Sequence, residues 1–96
     1  MDYLEGRYQK DPNIVFRAIA GEMILVPIRR RTANLESIYT LNETAGQIWE
    51  LMDGQRTLGE IRDTIVQEYD VTPKEAEADL AELVAYLEQI QAVEKV

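Results

Sequence analysis

The chain has 96 residues, 46% hydrophobic and 29% charged, with no cysteine, no histidine and a net charge of −8. That suits one small globular domain, and the missing residue types exclude disulfides, thiolate chemistry, Cys/His zinc sites and every Ser-His-Asp or Cys-His arrangement. No apolar run approaches the ~18–20 residues of a membrane span, and MDYLEGRYQKDP lacks a signal-peptide core, so a cytoplasmic protein away from membranes is expected.

Residues 1–13 are mostly polar and read as a mobile lead-in to a domain over 14–96. Ile14 to Ile19 (IVFRAI) is β-branched and aromatic and predicts a strand. Gly21 can supply the positive φ of a tight hairpin turn into a second strand, Met23 to Ile28 (MILVPI). Pro27 cannot donate to a ladder, so it belongs on an edge or at a strand end. Arg29-Arg30-Arg31 opens a loop, and Leu35 to Leu41 (LESIYTL) is the third predicted strand.

Three helices follow. Thr40 (with Glu43) and Asn42 are both candidate caps for the first, whose apolar row is Ala45, Ile48, Trp49 and Met52. Asp53-Gly54 is expected to end it, with Gly54 at the left-handed C′ position. Thr57-x-x-Glu60 opens the second helix, with Leu58, Ile61, Ile65 and Tyr69 on one side. Thr72-Pro73-Lys74-Glu75 opens the third, which runs to about Ile90. Its core row is Ala76, Leu80, Leu83, Val84 and Leu87, and the opposite side carries Ala78, Ala81 and Ala85 beside Glu82 and Tyr86.

These elements predict an α+β, winged-helix-like domain: an N-terminal three-stranded antiparallel β-sheet followed by three α-helices. The usual partner of such a shape is DNA, but charge argues against it. Met1 to Leu41 has a net charge of +1 and Asn42 to Val96 one of −9. The would-be reading helix carries Glu75, Glu77, Asp79, Glu82 and Glu88 against Lys74 alone, which repels phosphate. A short sheet also has open edges, and an open edge accepts an extended peptide as an added strand. With the third strand beside the third helix, main-chain groups of Glu36 to Thr40 would form one wall of a groove. The Ala78/Ala81/Ala85 stripe with Tyr86 would form the other.

LNETAGQIWELMDG followed by RTLGEI, with GEMILV ahead and EAEADLAELVAYL behind, resembles the PqqD-like family, named for pyrroloquinoline quinone biosynthesis protein D. Its members are also known as recognition elements for the precursors of ribosomally made, modified peptides. The resemblance covers about residues 14–93. It implies a non-catalytic peptide-binding chaperone without a cofactor or metal. Such a protein holds the precursor's leader as a strand between the third strand and the third helix and presents it to a modifying enzyme, often a radical SAM protein. By position it makes Leu35, Glu36, Ser37, Ile38, Tyr39, Thr40 and Leu41 peptide-facing, together with Ala78, Ala81, Glu82, Ala85 and Tyr86. The signature residues Leu41, Asn42, Ile48, Trp49, Leu51 and Asp53-Gly54 read instead as scaffold: core, cap and turn. Two features depart from the family. Gln91 stands where glycine usually follows the last helix, and the arginine triplet has no counterpart. The rival readings are an acidic winged-helix DNA-binding regulator and an adaptor subunit that docks on an enzyme without binding peptide.

Overall fold

The computed structural model of the protein describes residues 3–28 and 38–96. A 3₁₀ turn (Tyr3–Glu5) is followed by β1 (Arg7–Lys10), β2 (Ile14–Ile19), β3 (Glu22–Pro27), β4 (Tyr39–Leu41), α1 (Glu43–Leu51), β5 (Asp53–Thr57), α2 (Leu58–Glu68), α3 (Pro73–Gln89) and β6 (Val93–Lys95). The fold is α+β, as expected, with a second sheet that the sequence reading did not contain.

Helix starts follow local chemistry. Asn42 is the cap of α1: its backbone is extended and its side chain accepts from the Ala45 N–H at 2.8 Å. The alternative box at Thr40 is not used, because Thr40 still belongs to β4. Both α2 and α3 open with complete capping boxes, Thr57 with Glu60 and Thr72 with Glu75, and Pro73 occupies the first turn of α3. Each reciprocal pair satisfies two donors that the helix itself leaves free.

The apolar rows meet in one core. Trp49, Leu25, Met52, Leu58, Ile61, Leu80 and Leu87 are its largest fully buried side chains, each stabilising the fold by about 1.5–3 kcal/mol on burial. Trp49 lies edge-on to Phe16 with ring centroids 5.5 Å apart. The indole Nε1 is buried without an acceptor among the described residues. Arg62 of α2 pairs with Glu77 of α3 at 2.6 Å, a partly exposed contact that ties the two helices.

The first sheet is antiparallel in the order β2-β3-β4. Ala20 (φ 52°) and Gly21 (φ 83°) form the two-residue turn between β2 and β3, with both central residues left-handed as strand twist favours. The middle strand is β3, so Pro27 sits at a strand end, opposite Ile14. Among the described residues, the edges are β2 and β4. One face of this sheet packs on the helices through Met23, Leu25 and Leu41. Val15, Ile19 and Ile38 stay exposed.

The second sheet, in the order β5-β1-β6, joins three distant segments. Arg7–Lys10, expected to belong to a lead-in, is its middle strand. Tyr8 is buried, and the Tyr3 hydroxyl donates to the Glu77 carbonyl at 3.0 Å. Nothing local marks RYQK as a strand; its partners, Asp53–Thr57 and Val93–Lys95, supply the pairing. Asp53-Gly54 is likewise part of β5 and not simply a helix stop. Met52 caps α1, and Gly54 (φ 80°) falls one residue beyond the expected C′ position, where the β1–β5 register is irregular. The Asp53 carboxylate accepts from the Gln55 and Arg56 N–H groups and pairs with the Arg56 guanidinium at 2.6 Å. Those backbone hydrogen bonds, more than the guanidinium, hold its carboxyl below the usual range.

Gln91 keeps the tight turn usual for glycine. It takes φ 60°, its N–H donates to the Glu88 carbonyl at 3.1 Å, and the Ala92 N–H donates to the Leu87 carbonyl at 2.8 Å. That pair of bonds is the Schellman arrangement, and it turns the chain directly into β6. Val93 is buried there, and Val96 is exposed.

Candidate functional site

Among the described residues β4 pairs only with β3, and its other side is an open edge. Among the described residues, its backbone makes no bond outside that pairing. The register sets Met23 against Leu41, Ile24 against Thr40 and Leu25 against Tyr39. Alternation then separates the side chains. Tyr39 and Leu41 face inward with Met23 and Leu25, while Ile38 and Thr40 are exposed. Leu41 is 4% exposed and belongs to the core.

Tyr39 reaches α3. Its ring meets that of Tyr86 edge-to-face, with centroids 6.2 Å apart. Beside this contact lies a depression of about 420 Å³. The start of α1 supplies one side through Asn42, Thr44, Ala45 and Ile48. The other side is Asp79, Glu82, Leu83 and Tyr86 of α3. These four are spaced i, i+3, i+4 and i+7, one continuous row along the helix. The depression thus lies between α1 and α3, and β4 adjoins it through the Tyr39–Tyr86 contact.

Of the residues singled out from sequence, Glu82 and Tyr86 line the depression and Ile38, Tyr39, Thr40 and Leu41 form or adjoin the strand edge. Ala78, Ala81 and Ala85 are exposed, on the side of α3 opposite its buried row, and do not line it. Leu35, Glu36 and Ser37, like the Arg29-Arg30-Arg31 run, lie outside the described residues. Asp79 and Leu83 were missed, along with Asn42, Thr44, Ala45 and Ile48 from α1. Periodicity marks the buried row of α3, but not which of its two flanks turns toward α1 and β4. One sequence signal does distinguish the flanks: Leu83 and Tyr86 continue the apolar character of the core row on one side only.

The site is suited to binding. Its polar groups are an amide, a hydroxyl, a phenol and two carboxylates, with no nucleophile–base pair among them. Among the described residues, no Asp/Glu group has a metal-binding arrangement. No described helix is long and apolar enough to cross a membrane.

The family profile described as coenzyme PQQ synthesis protein D (PqqD) matches residues 22–93. Among solved structures, the chain is similar to one described as TbiB1 in complex with the TbiA(beta) leader peptide. The TM-score is 0.75 at 23% identity, over 90% of this chain and 94% of that one. It is also similar to lasso peptide synthetase B1 complexed with the leader peptide, with a TM-score of 0.75 at 22% identity, over 92% of this chain and 98% of the other. No curated protein sequence matches.

Proposed function

Since this chain belongs to the PqqD family, its profile spanning residues 22–93, we propose that it is a non-catalytic peptide-binding chaperone. It takes the leader of a ribosomally made precursor as an added strand along the open edge of β4. It then presents that peptide to a modifying enzyme of the radical SAM type. The observation that carries the reading is an open β4 edge that meets α3 through the Tyr39–Tyr86 contact, with a depression of about 420 Å³ between α1 and α3 beside it. Backbone groups of residues 38–41 supply hydrogen bonds that any sequence can meet, and the depression beside them selects side chains. The two similar structures were both solved with leader peptides, which agrees with this use of the fold.

The DNA-binding alternative loses further ground, because Asp79 and Glu82 line the concave face of the very helix that would read the groove. The test is an amide NMR titration of the full chain with synthetic leader peptides encoded beside its gene, alone and with the neighbouring modifying enzyme. Shifts concentrated on residues 38–41 and 79–86 are expected. Binding that moves other surfaces and leaves these amides in place overturns the reading, as does an absence of binding under both conditions.

A further inference from the structure

The depression between α1 and α3 has a divided chemistry. Its floor is apolar, from Ala45, Ile48 and Leu83, and its α3 rim carries two carboxylates, Asp79 and Glu82, one turn apart. Neither carboxylate has an ion-pair or hydrogen-bond partner among the described residues, and both side chains are exposed. Tyr86, 38% exposed, completes the rim with its aromatic ring. The positive end of the α1 dipole opposes them there, but the Asn42 side chain already satisfies the Ala45 N–H and Glu43 lies in the first turn. Two full charges outweigh about half a charge so screened.

We infer that this depression is a specificity pocket for a lysine or arginine of the bound peptide. Its aliphatic stem crosses Ile48 and Leu83, and its cationic head pairs with Asp79 and Glu82 beside the Tyr86 ring. The inference rests on the proposed function and deepens it by naming the peptide class: a strand with one basic residue at a set distance from its β4-pairing segment. Long basic side chains fit such a site because they bury their methylenes while the charge stays at the wet rim, and an aromatic face adds attraction for the cation. The volume, about 420 Å³, lies in the ~300–1,000 Å³ range of small-molecule pockets, enough for one long side chain and water around its head.

The experiment selects random displayed peptides on the full-length protein and measures the enriched sequences by anisotropy and by amide NMR. Enrichment of Lys or Arg at one fixed position is expected. Replacing that residue by Met should weaken binding about tenfold. The double variant Asp79→Asn/Glu82→Gln should weaken the basic peptide similarly and leave the Met peptide unchanged. A control, Glu68→Gln/Asp70→Asn, removes the same charge from outside the depression and should change neither. If no basic position is enriched, or if both double variants weaken binding alike, the pocket inference fails. The proposed function then still stands, provided the peptides shift residues 38–41 and 79–86. If enriched peptides leave those amides unmoved, both readings fall together.

Discussion

Lys10 shows how a single residue from one end of the chain completes a helix formed in the middle. Its Nζ donates to the carbonyls of Glu50 at 3.0 Å and Met52 at 3.1 Å, and lies 5.9 Å from the centre of the Trp49 ring. The last carbonyls of α1 have no intrahelical donors, so the ammonium meets a need that α1 cannot meet itself. Burial pulls the Lys10 pKa down, against the pull of Asp53 and Glu50. Lys10→Met keeps the stem and removes the donors; a loss of about 1–3 kcal/mol is expected, measured as a lower urea midpoint at unchanged m-value. Gln91 offers the opposite case. Its φ of 60° strains any residue with a Cβ, whereas glycine adopts it freely. Gln91→Gly should therefore raise stability by up to about 1 kcal/mol, and a thermal midpoint that falls would show that the glutamine side chain more than offsets its backbone strain. The caps at Asn42, Thr57 and Thr72 were legible because cap and helix are neighbours in sequence. The role of Lys10 was not, since its acceptors lie forty or more residues away.

Among the elements, α1 depends on close approach to β3. A Cβ built on Gly46 would stand 2.9 Å from the Cβ of Met23, well inside ordinary contact. In an exposed helix, Gly→Ala gains about 1 kcal/mol. Here Gly46→Ala must push α1 away from the sheet that carries β4, and a loss of about 1–3 kcal/mol is expected. Amide shifts spreading from Met23 into residues 38–41 would locate the displacement, and a stabilised variant with unmoved β4 amides would contradict it. The three helices and the β2–β3 hairpin were readable because each has its own period and its own start or turn residues. Polar DGQRT and three-residue VEK have neither, so β5 and β6 become strands only by pairing with β1. The candidate site was half legible for a related reason. Strand edge and helix could be brought together by topology, but the groove-facing row of α3 depends on the rotation of a helix about its axis, which tertiary packing decides.

For the whole molecule, the second sheet is where the chain closes on itself. In it β1 lies between the segment after α1 and the segment after α3, and the Val96 N–H bonds to the Arg7 carbonyl at 2.9 Å. Removing residues 1–10 would unpair β5 and β6 at once, expose the core around Tyr8 and Val93, and take away the Lys10 cap. Tolerance to truncation follows burial and hydrogen bonding of the lost backbone rather than nearness to a terminus. The expected cost exceeds about 3 kcal/mol, adding a buried aromatic side chain to hydrogen bonds left without partners. In a domain this small that is a large share of total stability. Urea unfolding of the truncated chain should show a midpoint shift of that size, and hydrogen exchange should show lost protection at residues 53–57 and 93–95. A truncated chain that keeps full stability would mean the second sheet is decoration. A chain that stays folded but loses only those protections would mean that β4, α1 and α3, with the depression between the two helices, stand on the first sheet and the helices alone. In that case peptide binding should survive the truncation, which separates what closes the molecule from what it uses to bind.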